Sequence, residues 1–345
     1  MKPLRVMVVE DSQVVRELLI YILGTDPDIT IVGAIANGEE ALEAVKKLRP
    51  DVITMDVHMP KMNGLDATRT IMETCPTPIV VVSGSVMKNE LTDTFDALEA
   101  GALAVIQKPK GLESKDFSEL AKQLTQTVKM MSEIKVVRRW KKDSASHANQ
   151  KLVVPSPTRD IEIVAIGAST GGPVILKNIL TAIKKNISSP ILIVQHITPG
   201  FTKGFVDWLA QTTGFPVHLA ENGITPRAGH IYIAPDEFHM QLDYAGRLAL
   251  SNGNPINGHR PSVASLFRSI ADNKGAHSIG ILLTGMGRDG ADELKLMKDK
   301  GAITIAQDKE TSIVFGMPKE AIALNAATHI LSPEGIAKVV NELVK

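Results

Sequence analysis

The chain has 345 residues, 44% hydrophobic and 22% charged, which is the make-up of a globular protein with enough length for two cores. Its 38 Lys+Arg balance 38 Asp+Glu, which excludes a basic footprint for nucleic acid. A single cysteine, Cys75, excludes an intrachain disulfide framework and fits a reducing cytosol. No apolar run reaches bilayer length, and the opening run 4–9, followed at once by Glu10 and Asp11, reads as a strand rather than an export signal.

The first 125 residues alternate short apolar runs with segments of helical period. Strands are predicted at 4–9, 29–35, 51–56, 79–83 and 104–108, and helices after each, the last from Phe117 onward. Five strands alternating with five helices predict a doubly wound parallel sheet. Sites in such sheets lie at the carboxyl ends of the strands. Those ends carry Glu10 and Asp11, then Asp56 followed by Val57-His58, then Ser83, then Lys108. Each alone is an ordinary loop residue. Together, three converging carboxylates call for a cation, and hard oxygen ligands suit Mg²⁺. A lysine and a hydroxyl beside them suit a phosphoryl group. His58 itself reads as a loop histidine.

Helical spacing continues through Leu120, Leu124, Val128, Met131 and Ile134. Residues 141–160 are rich in Ser, Asn, Gln, Lys and Pro without period, the composition of a surface or mobile linker. Arg138, Arg139, Lys141 and Lys142 around Trp140 read as a solvated helix end. The expected division is 1–128, a helical extension and linker over 129–160, and a second domain over 161–345.

That second domain again alternates strand and helix. Strands are expected at 161–167, 190–195, 217–220, 278–284, 302–306 and 329–331, mostly parallel, with 230–234, 239–243 and 248–251 forming an antiparallel hairpin region. The run Ile163–Gly172 ends a buried strand in Gly167-Ala-Ser-Thr-Gly171, with Pro173 at the first turn of the next helix. This fits G-x-S-x-G, in which a sharp strand-to-helix turn exposes a serine. The same turn could instead cradle a phosphate, or be only a tight turn. His196 ends the next strand, and Asp289 follows the strand at 278–284. Ser, His and Asp on converging strand ends are what nucleophilic acyl transfer needs, because the histidine takes the serine proton and the carboxylate orients the ring. The chain order Ser, His, Asp differs from the Ser, Asp, His of α/β-hydrolases. Gly285–Gly290 could aim N–H groups at an oxyanion. His259, in the turn 258–262, competes with His196 as base; His196 is preferred because it ends an apolar strand.

At these residues the first half resembles the receiver domain of two-component response regulators. The resemblance implies Asp56 as phosphoacceptor, Glu10, Asp11 and Asp56 with a backbone carbonyl after Asp56, that of His58, as Mg²⁺ ligands, and Ser83 and Lys108 as the phosphoryl switch. One departure is Val105, where the family often has an aromatic residue. The second half resembles the catalytic domain of chemotaxis protein-glutamate methylesterases. The matching motifs are Ala165-Ile-Gly-Ala-Ser-Thr-Gly-Gly172, Gln195-His196 with Pro199-Gly-Phe-Thr202, Ile231-Tyr-Ile-Ala-Pro235, His259-Arg-Pro-Ser-Val263, Leu282-Leu-Thr-Gly-Met-Gly-Arg-Asp-Gly290 and Phe315-Gly-Met-Pro318. It implies Ser169 as nucleophile, His196 as base and acid, Asp289 as its orienter, and Thr170 and Met286 at the oxyanion site, with no cofactor there. The implied activity is hydrolysis of glutamate γ-methyl esters on methyl-accepting chemoreceptors, with deamidation of receptor glutamines, in the cytoplasm, reaching membranes only through receptors. A histidine kinase is the implied phosphoryl donor, and phosphorylation of Asp56 is expected to expose Ser169. A phosphorylation-gated binding module without hydrolysis, and a nucleotide-binding output domain, are the alternatives.

Overall fold

The computed structural model describes residues 2–84, 88–109, 111, 117–134, 136 and 160–344. They form two compact units, one within Met1–Asn149 and the other within Gln150–Lys345. The linker expected at 141–160, apart from Asp160, and the basic cluster at 138–142 lie outside the described residues.

In the first unit the strands are β1 (Leu4–Val9), β2 (Ile29–Ile35), β3 (Val52–Met55), β4 (Ile79–Ser83) and β5 (Ala104–Gln107), and the helices α1 (Gln13–Gly24), α2 (Gly38–Leu48), α3 (Gly64–Thr74), α4 (Lys88–Ala100) and α5 (Phe117–Ser132). The sheet is parallel in the order β2-β1-β3-β4-β5. β3 and β4 are buried along their whole length, which is why they read as nearly continuous apolar runs, interrupted only by Thr54 and Ser83. α5 continues through residue 128 to Ser132 and buries Leu124, Val128 and Met131.

The order reverses between β1 and β3, and sites form at such a point. Val9 pairs with Met55, and Asp56 N–H donates to Val9 O at 2.9 Å, so Glu10 and Asp56 leave neighbouring strands side by side. The loop after Asp56 closes where Gly64 N–H donates to Val57 O at 2.8 Å. A Cβ on Gly64 would sit 1.9 Å from the Asp56 carbonyl oxygen, a backbone atom that cannot yield cheaply. Gly64→Ala is therefore expected to destabilise the first unit by about 3 kcal/mol, read in a calorimetric scan of the full chain as one transition lowered and the other unmoved.

The second unit has strands β6 (Ile163–Ala168), β7 (Ile191–Gln195), β8 (Val217–Leu219), β9 (Ile231–Ile233), β10 (His239–Leu242), β11 (Leu248–Ser251), β12 (Ser278–Leu282), β13 (Ile303–Gln307) and β14 (His329–Leu331). Its helices are α6 (Gly172–Ala182), α7 (Thr202–Thr213), α8 (Val263–Asn273), α9 (Ala291–Asp299), α10 (Met317–Ala323) and α11 (Pro333–Leu343). Seven strands form one parallel sheet, β14-β13-β12-β6-β7-β9-β8. β10 and β11 pair antiparallel as a separate ribbon. One expectation is corrected here. β9 belongs to the parallel sheet and not to the hairpin region, and its three residues are all buried, which its alternation with neighbouring polar residues disguised. α8 packs on this ribbon and on α9, joining Met240, Leu248, Leu266, Phe267 and Met297 in one core.

Candidate active site

β6 has β12 on one side and β7 on the other, so the chain again reverses direction at its carboxyl end. Ala168 pairs with Gln195, and His196 N–H donates to Ala168 O at 2.9 Å. Ser169 and His196 therefore leave adjacent strands together. The serine turn is tied from two sides: Ser169 N–H donates to Thr284 O at 3.0 Å, and Gly172 N–H to Ser169 O at 2.8 Å. Two amides that a phosphate cradle would use are thus already engaged. Gln195 Nε2 straps the turn, 2.9 Å from Ser169 O and 2.7 Å from His196 O. A Cβ on Gly172 would lie 2.1 Å from Gln195 Oε1. Gly172→Ala is expected to displace that strap and lower kcat about 10²-fold, because small misplacements of reacting groups are costly; steady-state rates on the folded variant check it.

His196 Nε2 lies 3.0 Å from Asp289 Oδ2, with the two side chains 8% and 1% exposed. Both ring nitrogens are buried, and neither has a partner in hydrogen-bond geometry among the described residues. Nε2 nonetheless lies within ion-pair distance of a carboxylate, which leaves Nδ1 as the ring nitrogen without an ion-pair partner among those residues. Asp289 is heavily bonded. Val263 N–H donates to Oδ2 at 2.7 Å, and Ala264 N–H to Oδ1 at 3.3 Å. Asn257 Nδ2 donates to Oδ1 at 3.0 Å. Burial opposes its charge, but His196, Asn257 and the Val263 amide hold its carboxyl below the usual range. Asp289 stands just before α9 in the chain, yet the helix whose free N-terminal amides it satisfies is α8, with Ser262 Oγ accepting from Ser265 N–H.

The turn after β12 closes over the serine. A Cβ on Gly285 would sit 2.7 Å from Ser169 Cβ, so Met286, 47% exposed, follows directly beside it. Thr170, half-buried, accepts through its carbonyl from Thr284 Oγ1 at 3.0 Å. Three supporting residues escaped the sequence reading. Thr284, fully buried, has its amide held by Gln307 Oε1 at 2.8 Å. Asp236 accepts from Gly200 N–H at 2.9 Å and from Thr202 Oγ1, fixing the loop after His196. Asn257 was overlooked although Asn-Gly is a strong turn signal.

In the first unit, Glu10, Asp11 and Asp56 bring one carboxylate oxygen each to within 4.8 Å of one another. Glu10 and Asp56 are buried and Asp11 is exposed. Lys108 Nζ is 2.8 Å from Glu10 Oε2 and 2.9 Å from Asp56 Oδ1. Desolvation raises the pKa of Glu10 despite Lys108. It raises that of Asp56 too, with Asp11 adding to the effect and Lys108 opposing it. Burial works against the Lys108 charge, but Asp56 and Glu10 hold its pKa above the usual range. One lysine cannot balance three carboxylates, so this all-oxygen cluster fits a hard divalent cation such as Mg²⁺. The His58 side chain is exposed and its amide donates to Asp56. Ser83, 2% exposed, receives Thr94 Oγ1 at 3.5 Å.

The profile of the CheB methylesterase family matches residues 164–340, and that of the response regulator receiver domain residues 6–115. A protein-glutamate methylesterase/protein-glutamine glutaminase of Nitrosospira multiformis is 53% identical over 99% of this chain and 97% of its own. The chain belongs to the CheB methylesterase family. A Syntrophus aciditrophicus protein of the same name is 52% identical over 99% of this chain and 98% of its own. Among solved structures, the Thermotoga maritima CheB methylesterase catalytic domain is 39% identical, with a TM-score of 0.52, covering 54% of this chain and all of that one. Family membership over both halves explains why one chain carries two unlike clusters, one of oxygen donors and one of Ser, His and Asp. No helix among the described residues is long and apolar enough to cross a membrane.

Proposed function

We propose that this chain is a phosphorylation-regulated serine esterase that hydrolyses glutamate γ-methyl esters on chemoreceptors and deamidates receptor glutamines, with residues 1–128 as receiver and 161–345 as catalytic domain. The observation that carries this reading is His196, which leaves the strand next to that of Ser169 and has Asp289 Oδ2 3.0 Å from Nε2. In the forward half-reaction His196 Nδ1 takes the Ser169 proton as Oγ attacks the ester carbonyl. The tetrahedral oxyanion collapses to an acyl-enzyme, and methanol leaves with the proton His196 held. Water then repeats the sequence, His196 again taking a proton, and the free γ-carboxylate departs. Ammonia replaces methanol when the substrate is an amide. N–H groups around Thr170 and Met286 meet the oxyanion. Asp289 keeps the ring oriented and stabilises its charged form.

In the receiver, Asp56 accepts a phosphoryl group from a histidine kinase, and Ser83 and Lys108 contact it. Glu10, Asp11 and Asp56, with the His58 carbonyl, would hold Mg²⁺, which would supply charge neutralisation for that transfer. Family membership supports a cytoplasmic enzyme that meets membranes only through receptors. The test is methanol release from methylated receptor membranes, with and without a small phosphoryl donor. Release by wild type that the donor raises, and that Asp56→Asn renders donor-insensitive, is the expected result. Folded enzyme that releases no methanol under any condition would overturn the proposal in favour of a binding module.

A further inference from the structure

His259 lies next to the proposed triad and has no part in the reaction above. Its ring stacks on that of His196, with centroids 3.9 Å apart and planes 10° from parallel. The segment that carries it is built to hold it there. Ile256 and His259 exchange N–H···O bonds of 3.0 and 2.9 Å, and the two residues between them, Asn257 and Gly258, take φ of 52° and 81°. This is the two-residue turn that Asn-Gly favours. The segment is also pinned on both flanks by one buried side chain. His239, 2% exposed, places Nε2 3.0 Å from Asn254 O and receives Ser262 N–H on Nδ1 at 3.3 Å. From this clamped turn Asn257 reaches Asp289 Oδ1 and His259 covers the face of His196.

We infer that His259 is a positioning residue: its ring, presented by the Asn257-Gly258 turn, packs flat on His196 and holds that imidazole in the plane that joins Asp289 to Ser169. The inference rests on the proposed roles of Ser169, His196 and Asp289. It separates two histidines that the sequence left in competition as base. His196 has the carboxylate 3.0 Å from its Nε2; His259 offers a ring face. Burial first, and then His196, pull the His259 pKa down to about 4, with Asp289 opposing. At neutral pH it is therefore an uncharged plate. A neutral ring face is a good neighbour for the imidazolium that His196 becomes during turnover, whereas a second cation there would disfavour it.

A group that only restrains another's orientation acts on the chemical step and not on substrate capture. His259→Ala is expected to lower kcat about 10- to 100-fold, with KM within about twofold of wild type. His259→Phe, which keeps a flat ring of similar size without proton chemistry, is expected to recover kcat to within about threefold. Methanol release from methylated receptor membranes is the readout, with thermal melting as the check of folding and His196→Ala measured alongside. A His259→Ala enzyme at wild-type kcat would overturn the inference. So would a folded His259→Phe enzyme as slow as His259→Ala, since the ring nitrogens would then matter and not the stack. Should His196→Ala itself keep wild-type activity, the proposed triad falls, and the stack with it.

Discussion

Ser169→Ala is expected to lower methanol release by on the order of 10⁴- to 10⁶-fold, the range for removal of a triad nucleophile such as Ser169 is proposed to be, while the melting curve stays where it was. The separation of the two effects follows from which atoms of Ser169 do what. Its amide bonds Thr284 O, and its carbonyl receives the Gly172 amide and Gln195 Nε2. Alanine keeps all of these and the Cβ that abuts Gly285. Only the hydroxyl is lost, and no structural partner is orphaned, so stability should move by no more than about 0.5 kcal/mol. The residue is also remote from the acidic cluster in sequence and belongs to the other compact unit. Phosphorylation of Asp56 by a small-molecule donor should therefore proceed in the variant as in wild type. Residual hydrolysis within about tenfold of wild type would show that Ser169 is not the nucleophile. Loss of both hydrolysis and the melting transition would say only that the turn needs the hydroxyl, and Ser169→Cys, which keeps a polar side chain of similar shape, would then decide.

Much of this arrangement is legible in the chain because strand ends are legible. β3, β4, β6 and β7 are buried on both faces and stand out as apolar runs whose ends can be read to within a residue or two. The side chains at or just past those ends, Asp56, Ser83, Ser169 and His196, inherit that clarity. Contacts made across the fold have no such local signal. That Asp289 caps α8, whose first residue lies 26 positions earlier, is invisible in the sequence around Asp289, which points to α9 instead. His239 looks like any polar residue in an alternating strand, yet it is buried and fixes both flanks of the turn after Asn254. The choice between His196 and His259 was partly legible, because His196 ends an apolar strand; the position of Asp289 Oδ2, 3.0 Å from the His196 ring, is what only the fold shows. β9 was misread for the opposite reason: a three-residue strand is too short for its burial pattern to be distinguished from alternation.

Asp289→Asn should show how far orientation alone accounts for the rate. The expected loss in kcat is about 10⁴-fold, and here it has a particular cause. Every group that meets this carboxylate is, or must be, a donor. Oδ2 faces Val263 N–H and His196 Nε2; Oδ1 faces Asn257 Nδ2 and Ala264 N–H. An asparagine must turn its NH₂ toward one of these pairs. Turned toward Asn257 and the Ala264 amide, it sets donor against donor in a buried site, at a cost of about 1–3 kcal/mol. Turned toward His196, it meets the Val263 amide as well, and it draws the imidazole into the tautomer that accepts at Nε2. The ring proton then sits on Nδ1, the nitrogen proposed to take the proton of Ser169, and that step is blocked. Activity and stability should thus fall together, unlike in Ser169→Ala. The stability difference should also depend on pH. Because the folded carboxyl titrates below its ordinary value of 3.8, the stability it contributes is fully present above that value and is lost as the pH falls through the folded pKa. Wild type and Asp289→Asn should therefore differ most in melting temperature near neutrality and converge below about pH 4. A variant that melts like wild type at pH 7 yet has lost the activity would place the whole effect in the tautomer. A variant within tenfold of wild-type kcat would show that His196 is held by the stack on His259 and not by the carboxylate.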